Sequence, residues 1–226
     1  GYCVNNYTNG DPYFGYYSND QRNKQGFYSY IPKKINNLLF IREYYFGLWN
    51  EDKKDSRGVY IWLKQNKQQL LKKNPFISFN DANFRAFVGE FKKDEFVKGT
   101  LMSKEANNYF VYHGTFINNL QKHGNKCFYY SANLEELMYG TFKNDIFVDG
   151  YVATFDDNGE LKKIVKYHNK NIVYEEINKN NNNIKNISMK LLTFRNVILS
   201  KDYFVILFDL FKNIIDFKDE NMNNID

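Results

Sequence analysis

The chain has 226 residues, 43% of them hydrophobic and 25% charged, with a net charge of +5 at neutral pH. That balance excludes wholesale disorder and a polycationic nucleic-acid binder, and the length suits one domain or two small ones. Two cysteines, Cys3 and Cys127, exclude a disulfide-scaffolded module, and three prolines exclude a proline-rich linker.

After an N-terminal extension over residues 1–12, the chain repeats itself. Five segments place an apolar or aromatic residue, a glycine two further on, and a ring two beyond that. The first runs Tyr13, Gly15, Tyr17, the second Tyr45, Gly47, Trp49, and the third Phe87, Gly89, Phe91. The fourth runs Tyr112, Gly114, Phe116, and the fifth Met138, Gly140, Phe142. A polar stretch and a second glycine follow each, at Gly26, Gly58, Gly99, Gly124 and Gly150, after 11, 11, 10, 10 and 10 residues. Ten of the 13 glycines obey this scheme, which chance placement does not explain.

A spacing of two puts both rings and the intervening glycine on one face of a strand. The glycine leaves a slot over its backbone where a ring from a neighbouring unit can lie. At one offset come turn residues: Asn19-Asp20, Glu51-Asp52, Lys93-Asp94, Asn118-Asn119 and Asn144-Asp145. Asn and Asp tolerate the left-handed backbone that a two-residue hairpin requires. Each unit therefore reads as a β-hairpin unable to bury its rings alone, and stacking predicts a single-layer, twisted antiparallel sheet.

Between the first units lie insertions. Residues 31–42 carry the basic pair Lys33-Lys34 and a strand-like run from Leu38 to Ile41, and residues 65–73 read as a short polar helix ending near Pro75. After the fifth unit, Asp156 to Gly159 is a turn and Leu161 to Tyr167 a last strand, closing a repeat sheet over residues 13–167. Residues 168–186 read as a polar linker, Asn-rich from Asn178, and residues 187–217 as a helical segment. Within that segment Ser200 caps a helix over residues 201–216 whose face of Phe204, Leu207, Phe208 and Phe211 must be covered by the sheet or by a partner. A polar tail follows from residue 218. The longest apolar run, Tyr203 to Phe208, is too short to span a bilayer.

The pattern Tyr-x-Gly-x-aromatic, polar turn, Gly resembles the MORN repeat (membrane occupation and recognition nexus). The units at 13–30 and 45–62 are close to it, with Trp49 at the family's preferred aromatic position. Those near 87–103, 112–130 and 138–155 resemble degenerate members. The family's usual turn glycine is replaced by Asp or Asn throughout.

No catalytic constellation emerges: His113, His123 and His168 are scattered, and His123 with Cys127 supplies two ligands where a zinc site needs four. No enzyme activity, cofactor or metal is expected. Lys33, Lys34, Lys72 and Lys73 read either as contacts for anionic lipid headgroups or as solvated turns. The ring row of Tyr13, Tyr17, Tyr45, Trp49, Phe87, Phe91, Tyr112, Phe116 and Phe142 reads either as internal packing or as a groove for a partner. The resemblance implies a non-enzymatic structural or adaptor subunit, as in ciliary axonemes, radial spokes and the protist cytoskeleton. Alternatives are a subunit of a protist organellar membrane complex such as a mitochondrial one, a peripheral module binding anionic phospholipid, and the accessory repeats of a larger enzyme.

Overall fold

A computed structural model describes residues 1–66, 83–106, 108–176 and 182–199. Its strands are β1 (Tyr2–Asn6), β2 (Pro12–Ser18), β3 (Gln21–Ser29), β4 (Lys33–Lys34), β5 (Leu39–Asn50), β6 (Lys53–Asn66) and β7 (Asn83–Lys92). They continue as β8 (Glu95–Glu105), β9 (Asn108–Ile117), β10 (Gln121–Ser131), β11 (Glu136–Lys143), β12 (Ile146–Phe155), β13 (Leu161–His168) and β14 (Asn171–Glu176). One helix, α1 (Asn182–Leu199), follows. The fold is mainly β: one open antiparallel sheet of 14 strands in chain order, with β4 paired to β5 beside the main path. By internal contacts the described residues 1–95 and 96–199 form two compact units.

The hairpins arise where the turn chemistry places them. Both central residues adopt positive φ at Asn19 and Asp20, Glu51 and Asp52, Lys93 and Asp94, and Asn144 and Asp145. That is the backbone whose twist matches a right-twisted strand pair. At the fourth hairpin Leu120 joins Asn118 and Asn119 in the left-handed region.

Four boundaries differ from the sequence reading. The N-terminal extension contains β1, which pairs with β2 from Tyr2 opposite Tyr16 to Asn6 opposite Pro12. The last strand is not Leu161 to Tyr167 but β14, inside the stretch read as a polar linker. Asn169 and Lys170, φ 50° and 67°, make the same two-residue turn as four of the five units, and Ile172, Val173 and Tyr174 follow as strand formers. The Asn-rich composition masked a sixth hairpin. That linker also ends early, because α1 begins at Asn182. The polar helix expected over residues 65–73 begins instead as the end of β6, with Gln65 and Asn66 extended. Residues 67–73 and the helix expected over residues 201–216 lie outside the described residues.

In residues 96–199, α1 packs on β11 and β13. Leu191 is buried to 1% exposure, and Phe194 stacks on Phe128 at a centroid distance of 3.8 Å. Arg195 caps the contact, bonding Glu135 Oε2 at 3.3 Å and lying 4.8 Å from the Phe155 ring. Leu137, Ala153 and Ile164 complete this core, each at most 2% exposed.

Candidate functional site

In residues 1–95 the glycines fall into one row across the sheet. Gly15 stands opposite Gly26, Gly26 opposite Gly47, Gly47 opposite Gly58, and Gly58 opposite Gly89. Two positions along each strand lies a row of rings: Tyr13, Tyr28, Tyr45, Tyr60 and Phe87. The slot over each glycine pair is filled by the hairpin's own tyrosine, not by a neighbour's ring. A Cβ built on Gly58 would stand 2.6 Å from the Tyr45 ring, and one on Gly15 or Gly26 would collide with Tyr13. The ring folds forward over its glycine because its hydroxyl finds a local acceptor three residues on. Tyr45 Oη donates to the Leu48 carbonyl at 2.8 Å, Tyr13 Oη to that of Tyr16 at 3.2 Å, and Tyr112 Oη to that of Thr115 at 3.0 Å. Burial pushes all three phenols above their ordinary value, which keeps them protonated donors.

The ring after each glycine makes the contact between units. Trp49 meets Tyr45 edge-on at 5.0 Å within its own hairpin and Tyr13 of the previous one at 5.7 Å. Phe91 repeats this with Phe87 at 5.1 Å and Tyr45 at 5.2 Å. Phe142 meets Tyr112 at 5.5 Å, and Tyr112 meets Phe116 at 5.0 Å. Tyr13, Tyr45, Trp49, Phe87, Phe91, Tyr112, Phe116 and Phe142 are all buried. Half-buried Tyr17 shares a hydrogen bond with Tyr7 Oη at 2.7 Å. These residues form an internal core rather than an open groove.

A second device, invisible to the repeat search, ties hairpin to hairpin. The second turn residue of one hairpin is an aspartate that clasps a cation on the return strand of the hairpin before it. Asp52 Oδ1 accepts from Arg22 N–H and Nε at 2.9 Å each, while Asp52 N–H donates to the Arg22 carbonyl at 3.1 Å. Asp94 repeats the pattern on Lys54, its Oδ1 2.9 Å from the backbone nitrogen and 3.0 Å from Nζ. Asp145 does so on Lys122, at 2.9 Å and 3.0 Å. The cation stands opposite the post-glycine ring, Arg22 opposite Tyr17 and Lys54 opposite Trp49, and so lies among aromatic faces. The Arg22 guanidinium is 4.2 Å from the Trp49 ring and 5.0 Å from that of Tyr28. The signal was present in the sequence as an Asp ending the turn and an Arg or Lys soon after the turn before it.

In residues 96–199 the row runs Gly99 opposite Gly114, Cys127 opposite Gly140, and Gly140 opposite Gly150. Gly124, expected as the fourth unit's second glycine, is displaced from it. A bulge between Gly124 and Cys127 absorbs the intervening residues, with Gly124 at φ 119° and Lys126 at φ 56°. Cys127 takes the row position, and its Sγ would stand 2.6 Å from a Cβ on Gly114.

The remaining predicted residues stay apart from these rows. Lys33 and Lys34 are exposed in β4, with Lys33 Nζ 3.3 Å from Glu43 Oε1. Lys72, Lys73, Phe204, Leu207, Phe208 and Phe211 lie outside the described residues. His113 accepts or donates at Thr100 Oγ1 at 2.8 Å, and His168 lies 2.8 Å from Asp149 Oδ1. Among the described residues no three His, Cys, Asp or Glu side chains could hold a metal ion, and no helix is long and apolar enough to cross a membrane. Exposed apolar side chains gather at the free edge, Ile172 and Val173 at 55% and 54%, and in the segment after the first hairpin, where Leu38 reaches 74%.

No family model matches the chain, and no curated protein is significantly similar to it.

Proposed function

We propose that this chain is a MORN-type repeat protein serving as a non-enzymatic structural or adaptor subunit of an axonemal or cytoskeletal assembly. Its repeated chemistry, the glycine–tyrosine rows and the aspartate clasps, is consumed in holding hairpin to hairpin. That makes a stiff support rather than a reaction site. The observation that carries the docking role is the outer edge of the sheet. β14 pairs on one side only among the described residues, and its Ile172 and Val173 are more than half exposed. An unpaired strand edge with apolar side chains is a template for a partner's strand.

The test is sedimentation of tagged full chain from native extract, with and without salt extraction. The tagged chain is expected to travel with a large, salt-resistant protein particle, and Ile172→Lys with Val173→Lys to release it without lowering Tm. Migration as a monomer, or flotation with vesicles only when they hold anionic lipid, refutes the reading; the second result supports the membrane alternative instead.

A further inference from the structure

The segment between the first two hairpins, residues 31–42, takes no part in the glycine rows or the clasps. β4 pairs with the start of β5, Lys33 opposite Ile41 and Lys34 opposite Phe40, so the segment folds back as a small side hairpin. Its tip is built by Asn36. Asn36 Oδ1 accepts from the Leu38 and Leu39 N–H groups at 2.9 Å each, and the Ile35 N–H donates to the Leu39 carbonyl at 2.9 Å. An asparagine that holds two successive backbone amides fixes a turn. The tip is nevertheless apolar. Leu38 is 74% exposed, Ile35 48% and Leu39 37%, with Ile35 and Leu39 side by side across the turn. Three aliphatic side chains held in water within five residues make a patch, unlike exposed residues scattered singly. Residues 31–42 also carry three cations, Lys33, Lys34 and Arg42, and no acid, in a chain with 26 acidic residues. Lys33 and Lys34 are both exposed, and Lys33 Nζ lies 3.3 Å from Glu43 Oε1, so Lys34 is the charge left to offer.

We propose that this tip is a docking knob for a second protein, whose receptor is an apolar cleft with carboxylates at its rim. Leu38 enters the cleft, Ile35 and Leu39 meet its wall, and a rim carboxylate takes Lys34. The knob serves as an anchor because its backbone is ordered before it binds, which lowers the entropy lost on docking. The charge pattern decides the rim, since cations without acids match a surface of opposite potential. The amides at the tip decide against a bilayer. Asn36 and Asn37, both exposed, sit between Ile35 and Leu38. Hydrocarbon offers their side-chain N–H groups no acceptor, whereas carboxylates and carbonyls of a protein do. The knob is a different surface from the β14 edge, and this inference does not rest on the docking role given to that edge.

The experiment places a photoreactive benzophenone side chain at Leu38 of the full chain and irradiates it in native extract. The protein it marks is then purified and titrated with the unmodified chain, so that the readout is a dissociation constant rather than capture. Adducts are expected at one site on one protein, beside Asp or Glu. Leu38→Asp and Lys34→Glu should each weaken the purified pair by about tenfold or more, and added salt should weaken it less for Lys34→Ala than for the unmodified chain. Both positions are exposed, so Tm should stay within about 2 °C in each variant. Ile172→Lys with Val173→Lys should leave the constant unchanged, which separates the knob from the β14 edge. Adducts scattered over many proteins, adducts to lipid, to a second copy or within the same molecule, no adduct at all, or a constant indifferent to Lys34→Glu overturn the proposal.

Discussion

Gly114→Ala probes the packing scheme where two side chains crowd one glycine. A Cβ at this position would stand 2.5 Å from Tyr112 Oη, 2.8 Å from Tyr112 Cζ and 2.6 Å from Cys127 Sγ. Tyr112 is fully buried, so its ring cannot step aside into solvent. Moving it breaks the 3.0 Å bond to the Thr115 carbonyl and disturbs its edge-on contacts with Phe116 and Phe142. Overpacking of this kind costs about 1–3 kcal/mol, and a net hydrogen bond about 0.5–1.5 kcal/mol more. A loss of about 2–4 kcal/mol corresponds to a Tm lower by roughly 5–15 °C for a chain of this size. Calorimetry of the variant beside Glu90→Ala, an exposed neighbour of Gly89, measures it. Because the ring causes the penalty, Gly114→Ala should cost much less in a Tyr112→Leu background than alone. Equal costs in both backgrounds, or a single variant melting within about 2 °C of the unmodified chain, would refute the slot as the reason for glycine.

Three further outcomes follow from the clasps and the helix. Asp52→Ala should lower stability in urea by about 1–2 kcal/mol, because Arg22 loses two hydrogen bonds to one carboxylate oxygen at a part-buried site; an unchanged midpoint would count against the clasp. Burial opposes the charge on Asp94 and Asp145, yet hydrogen bonds and charge from Lys54 and Lys122 outweigh it and hold both carboxyls below their ordinary value of 3.8. Their stabilisation is therefore present above that pH and lost as pH falls through the lower native values, so Asp94→Asn with Asp145→Asn should flatten the acid limb of a stability–pH curve. Leu191→Ala should cost about 2–5 kcal/mol by opening a cavity beneath α1, read as faster amide exchange in β11 and β13.

Much of the fold was legible because its information is local. The turn pairs specify positive φ at two successive residues, and a hairpin follows wherever they occur. The period of the glycines then fixes the strand spacing. Where composition blurred these cues the reading lost its edges. Asn169-Lys170 makes the same turn as Asn19-Asp20, but it sits in an Asn-rich stretch and lacks the Tyr-x-Gly signature, so β14 was read as linker. Tyr2 to Asn6 carries no repeat signature either, and becomes a strand because β2 offers it an edge.

The sequence by itself determined that five glycine-centred hairpins would stack in order, since turn backbone and side-chain alternation are properties of a few consecutive residues. Which atoms meet across the stack was decided only by the tertiary structure. The slot over Gly15 and Gly26 belongs to Tyr13 of the same hairpin because its hydroxyl reaches the Tyr16 carbonyl, an energetic choice that spacing does not encode. Cys127 rather than Gly124 enters the glycine row because a bulge shifts the register of β10, and bulges are settled between strands. The aspartate clasps likewise join residues 23 to 40 positions apart, which only the closing of successive hairpins brings within hydrogen-bond reach.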